Sequence, residues 1–193
     1  MAIYYHGTII KNLKELKPFV SPDSNLKYPC VYLTSNKAIA AIYIWNKPFK
    51  WMSFHVQDDG IPVVTESFPN HLYEFYNGVS GCIYTCEGDF ITDYAVGIKY
   101  AAISKEPVKI IDCDIVDNAY ERLLQYEREG KLIINRFENL TQDMHDGRTR
   151  TVLRTIKNLN LLEEKHPLSV FIKEKFPDLW EQAKKEIKKD VTV

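Results

Sequence analysis

The sequence predicts an α+β protein, and three observations carry that prediction. The first 112 residues read as many short strands with few helices, Asp58-Asp59-Gly60 separates two β-rich runs as a hairpin turn would, and the last third reads as almost purely helical. A chain of 193 residues, 45% hydrophobic and 26% charged, is long and apolar enough to bury a core as one domain or as a core with an added lobe. We therefore expect a split, mixed or antiparallel sheet over residues 1–112 and a helical extension over 113–193 that packs on it.

Taken in order, Ile3–Tyr5 is a short β-prone run that ends in His6-Gly7. Lys11 to Pro29 carries charge, three prolines and Ser21-Pro22-Asp23-Ser24-Asn25, and reads as loop with one turn of helix at most. Cys30–Thr34 is the second strand. Ser35 is placed to cap the next helix, whose apolar face holds Ala38, Ala41, Ile42 and Trp45 and which ends before Pro48. Trp51–Val56 and Ile61–Phe68 form the hairpin arms, and Pro69 opens a short helix with Leu72, Phe75 and Tyr76 that stops at Gly78. Gly81–Cys86, Lys99–Ile103 and Val108–Ile111 are strands. Asp114 is read as the N-cap of a helix running through Glu129, with Ile115, Ala119, Leu123 and Tyr126 on one stripe and Gly130 closing it. Arg150 to Asn160 has helical spacing, Pro167 and Pro177 start two more helices, and Lys184–Lys189 is a solvated charged face.

Several functional classes are excluded or disfavoured at this level. The net charge of −1 does not call for a basic nucleic-acid surface. Neither a GxGxxG loop after a strand nor a GxxxxGK[ST] loop occurs. Cys30, Cys82, Cys86 and Cys113 show no CxxC spacing, and Cys82 and Cys86 read as buried thiols on one strand face, so no metal is expected. No apolar run approaches the ~20 residues of a membrane span, so we expect no membrane partner. With no signal-like N-terminus, a reduced cytoplasmic setting follows and the Asn139-Leu140-Thr141 sequon has no consequence.

What remains is a set of aromatic and histidine positions that no periodic rule generates. Tyr4-Tyr5-His6-Gly7-Thr8 closes the first strand, Val31-Tyr32-Leu33-Thr34 forms the second, and Tyr43 lies eleven residues beyond Tyr32. A glycine next to a strand histidine permits close approach to the backbone, where its N–H and C=O would hold a primary carboxamide. Two tyrosine rings would sandwich the attached heterocycle, and a neutral histidine nitrogen would bond a ribose hydroxyl.

This pattern resembles the ADP-ribosyltransferase fold, in the branch with an H-Y-[acid] triad that includes diphtheria toxin and the poly-ADP-ribose polymerases. It is most similar to the small bacterial rifampicin ADP-ribosyltransferases. Tyr4–Thr8 and Val31–Ala41 look like that group's first two strands and Ala-rich helix. Ile83-Tyr84-Thr85-Cys86-Glu87-Gly88 and the segment from Tyr100 through Ser104-Lys105-Glu106-Pro107 to Ile110 look like two of its later strands. The resemblance implies NAD as substrate, held by His6, Gly7, Thr8, Tyr32 and Tyr43, with a catalytic triad of His6, Tyr32 and Asp93. Asp89 and Glu87 are rivals to Asp93. Aligned instead with the polymerases and toxins, the acid would open the strand near Lys99–Tyr100, where this chain has a lysine. The chain is also longer than the antibiotic-modifying enzymes between Trp45 and Ile83, and the helices past Asp112 lie outside the resemblance.

The implied reaction is mono-ADP-ribosyl transfer, a glycosyl transfer that breaks the nicotinamide–ribose bond without a metal. The acceptor is left open among protein, nucleic acid, small molecule and water. Residues 1–112 contain no arginine, which argues against the RNA 2′-phosphotransferase chemistry of the same fold and leaves the NAD diphosphate to lysine, backbone amides or the Thr8 hydroxyl. The competing expectation is a catalytically inactive relative that binds a nucleotide or a protein.

Overall fold

The computed structural model describes residues 2–21, 26–92, 100–163 and 166–190, with 187–190 as backbone only. It is a mixed α+β fold in which an antiparallel sheet curls around helices, as the composition of segments predicts. Six strands run in the order β2 (Glu15–Leu16), β8 (Val108–Val116), β6 (Gly81–Gly88), β1 (Ala2–Thr8), β3 (Val31–Thr34) and β7 (Ala101–Ser104). Every pairing in this sheet is antiparallel. A smaller sheet holds the hairpin β4 (Ser53–Val56) and β5 (Pro62–Thr65), with β9 (Ile133–Asn135) added parallel to β5.

Local chemistry sets the helix starts. Asn36, one residue after the expected Ser35, caps α1 (Lys37–Ile42): its side-chain oxygen accepts from the N–H groups of Ala38 at 2.9 Å and Ile39 at 3.3 Å. Its amide also donates to Gly60 O at 3.0 Å, tying the helix to the hairpin turn. That turn forms as expected, with Gly60 at φ 89° where a side chain would be strained. Helix α2 (His71–Tyr76) follows Asn70, and Thr141 caps α4 (Gln142–Asn158). Prolines open α5 (Pro167–Lys175) and α6 (Pro177–Asp190), as their missing N–H allows.

Two expectations fail near residue 114. Asp114 is not a helix cap: it lies in β8, opposite Ile83, and α3 (Ala119–Arg128) starts later behind Asn118, whose side chain accepts from Tyr120 N–H. Ile115, assigned to the apolar helix stripe, is consequently exposed on the strand, while Ala119, Leu123 and Tyr126 are buried. The expected passage from core to helical extension at residue 112 thus falls inside β8. The loop from Lys11 to Pro29 also contributes β2 and a bridge between Phe19 and Cys30.

The main core gathers Ala40–Ile42, Val64, Phe75, Ile83, Leu123, Ile156, Ile172 and Trp180, so α1 to α6 share one interior with the sheet. A second cluster on the other sheet face contains Val31, Leu33, Cys82, Tyr84 and Cys86, confirming that the two strand cysteines share a buried face. Cys30 is also buried, and Cys113 is exposed. Among the described residues, no helix is long and apolar enough to cross a membrane.

Candidate functional site

Strand β1 pairs with β6 along its whole length, from Ala2↔Gly88 to Thr8↔Cys82, but meets β3 at Tyr5↔Thr34. Continuing that register would set Gly7 opposite Tyr32, since each pair of numbers sums to the same value as 5 and 34. The His6 side chain instead takes the Tyr32 carbonyl, with Nδ1 2.8 Å from Tyr32 O. The sheet opens where an imidazole replaces a backbone partner.

This bond settles the chemistry of the ring. A carbonyl oxygen only accepts, so Nδ1 carries the proton. Burial lowers the His6 pKa, and the bond to Tyr32 O opposes that only in part, so the ring is neutral at pH 7. Nε2 then presents a lone pair, and among the described residues nothing donates to it. A half-buried acceptor at the parting of two strands is suited to a ligand hydroxyl.

Gly7 sits on the opposite sheet face, beneath α1. A Cβ added there would collide with the Ala40 carbonyl oxygen, so helix packing accounts for the glycine without any ligand. The same Ala40 oxygen accepts from Tyr43 N–H at 3.1 Å. Gly7 and the end of α1 are therefore neighbours, and Tyr43 closes the helix that covers this face of the sheet. Tyr43 is 43% exposed. Thr8 accepts through Oγ1 from Ile10 N–H at 3.2 Å in a local turn, which leaves its hydroxyl proton to donate.

The two tyrosines differ. Whereas Tyr43 offers a ring face, the Tyr32 ring packs edge-on against Phe19, with centroids 5.5 Å apart, and against Leu26, Cys30 and Ile103. Tyr32 reaches the site through its carbonyl. Among the candidate acids, Glu87 is exposed opposite Ile3, three residues from His6 and hence roughly 10 Å along the strand. Asp89 lies exposed beyond the end of β6. Asp93 and Lys99 lie outside the described residues.

Sequence reasoning missed Lys50. Its ammonium lies 5.1 Å from the centroid of the Tyr43 ring and 6.0 Å from that of Trp45, and donates to Ile42 O at 3.3 Å. Burial draws its pKa down to about 7. The available signal was a lysine set inside an aromatic run, Phe49-Lys50-Trp51.

A separate concavity of about 570 Å³ is lined by Tyr5, Asn36, Lys37, Gly60, Tyr126 and Lys131, among others. Beside it, Asp114 accepts both Arg122 terminal nitrogens at 2.7 and 3.0 Å and Lys37 Nζ at 2.7 Å. Burial alone would raise the Asp114 carboxyl, but these donors hold it below its ordinary value. The charges answer one another, as in a structural ion cluster.

No protein-family model matches the chain, and neither a curated protein nor a solved structure matches it significantly.

Proposed function

We propose that this chain binds NAD at the parting of β1 and β3 and transfers its ADP-ribosyl group to an acceptor. The observation that carries the reading is the His6–Tyr32 bond, which commits the Nδ1 proton to the Tyr32 carbonyl and leaves Nε2, among the described residues, with no donor. In this reading Nε2 accepts a hydroxyl of the nicotinamide ribose. Tyr43 supplies the ring face for nicotinamide, and the Gly7 backbone holds the carboxamide. Thr8 and nearby amides hold the diphosphate.

Cleavage of the nicotinamide–ribose bond passes through an oxocarbenium-like sugar, as in glycoside hydrolysis. A carboxylate beside the ribose stabilises that charge and orients the acceptor. The strand register sets Glu87 opposite Ile3, away from His6, and the resemblance assigns the carboxylate to Asp93. Holding a ribose hydroxyl on a neutral imidazole helps if the contact tightens as the sugar flattens. The acceptor class is a protein, a nucleic acid or a small molecule.

A second reading, an inactive relative that binds a nucleotide or a protein, is favoured by the Tyr32 ring, which is packed on Phe19 instead of facing a ligand. Measuring NAD consumption by the wild type, His6→Ala and Asp93→Ala separates the two. The transferase reading expects turnover that falls at least 100-fold in both variants, about 2.7 kcal/mol of transition-state stabilisation. Saturable NAD binding without turnover would favour the inactive relative as a nucleotide binder, and no binding would sink the NAD reading of the site.

A further inference from the structure

The amine of Lys50 sits over one face of the Tyr43 ring, the ring that the NAD reading stacks against nicotinamide on its other face, and among the described residues no carboxylate pairs with it. Among the described residues its hydrogen bond goes to Ile42 O, an oxygen that also accepts the Tyr76 hydroxyl at 2.8 Å. The amine is thus anchored by neutral groups, and below its pKa its charge is uncompensated. A heterocycle stacked on the free face of Tyr43 would lie about 3.5 Å from that ring, hence roughly 8–9 Å from the ammonium with the tyrosine between them. The nicotinamide ring of NAD⁺ is a pyridinium cation, whereas free nicotinamide and the dihydronicotinamide of NADH are neutral.

We propose that Lys50 makes the Tyr43 platform select by ring charge, favouring a neutral nicotinamide or dihydronicotinamide over a pyridinium. Two effects act together: direct repulsion between the ammonium and the pyridinium, and withdrawal of the tyrosine's π-density toward Lys50, which weakens its hold on a second cation. The inference rests on the NAD reading and adds a role in the reaction. As the C–N bond breaks, its electron pair passes to the ring nitrogen and cancels the pyridinium charge. The positive charge moves to the ribose carbon, which the acceptor's lone pair then attacks, with the acceptor's proton lost to a carboxylate or to water. Repulsion from Lys50 is relieved in that step, so the residue destabilises bound NAD⁺ relative to the departing ring. Lys50 is a specificity residue acting through Tyr43, and it touches no reacting atom.

The test compares dissociation constants for NADH and for a carbocyclic, non-hydrolysable NAD⁺ analogue at pH 6, where the amine is charged. Wild type, Lys50→Met and Lys50→Arg are measured by calorimetry. We expect wild type to favour NADH, the preference to drop about tenfold in Lys50→Met, and Lys50→Arg to retain it. An unchanged preference in Lys50→Met, with both dinucleotides still bound, would overturn the inference and leave the NAD reading standing. Failure of wild type to bind either dinucleotide would overturn the NAD reading itself, and this inference with it.

Discussion

Two histidines in this chain are both held neutral by burial, yet their surroundings make them different objects. At His71, which is fully buried, the backbone N–H of Ser67 donates to Nδ1 at 3.2 Å and Nε2 donates to Lys50 O at 2.8 Å. Its ring also stacks on Phe68 with centroids 3.9 Å apart. Around it, the Glu66 carboxylate accepts from Leu72 N–H at 2.7 Å and Phe137 N–H at 3.0 Å, and the Ser67 hydroxyl donates to Trp51 O. Every polar atom of the His71 ring has its partner, so the cluster fastens α2 and the loops beside it. His6 has one nitrogen engaged and, among the described residues, one without a donor. Completeness marks a structural cluster, whereas we propose that the open valence of His6 serves a ligand.

That contrast is breakable, most strongly at His71. Replacing it with alanine removes two hydrogen bonds and the ring contacts with Phe68 and Phe75 and leaves the Ser67 N–H and Lys50 C=O unpaired. We expect a loss of about 3–5 kcal/mol in urea unfolding. His6→Ala should cost about 1 kcal/mol, because it gives up one partly exposed bond. Equal losses at the two sites would erase the distinction.

The smaller effect is on pH. Burial, outweighing the bond to Lys50 O, pushes His71 down to about 3. Its ordinary value in the unfolded chain is about 6.5. Between these values the unfolded state binds a proton that the folded state refuses, so stability is full above pH 6.5 and falls as pH drops toward 3. The slope from this one group is about 1.4 kcal/mol per pH unit. Wild type should therefore lose about 2 kcal/mol more than His71→Phe between pH 6.5 and 5. Parallel stability curves for the two proteins would show that His71 takes up its proton without cost to the fold.

Much of this was legible in the sequence where the cause is local. The Asp58-Asp59-Gly60 turn and the proline-led helices each depend on a few adjacent residues, and the sequence also marked His6-Gly7, Tyr32 and Tyr43 as site candidates. The errors arose where a distant partner decides. Asp114 and Asn118 both qualify as caps, and pairing with Ile83 on β6 keeps Asp114 in the strand. Gly7 read as an opening for a ligand, and the structure adds a packing reason for it, because the Ala40 carbonyl lies where a side chain would go. Tyr32 looked like a stacking ring, but its neighbours Phe19, Leu26 and Ile103 come from separate stretches of chain. Lys50 matters only because the fold lays it over Tyr43.

The central claim is that His6, unlike His71, has a nitrogen available to ligand. Long-range ¹H–¹⁵N spectra of the imidazoles during titration with NAD test it directly. We predict that His6 Nε2 shifts upfield as it accepts a ribose hydroxyl, saturating with bound NAD while both His71 nitrogens stay fixed. A His6 signal unmoved at saturating NAD, or a shift equal to that of His71, would contradict the account.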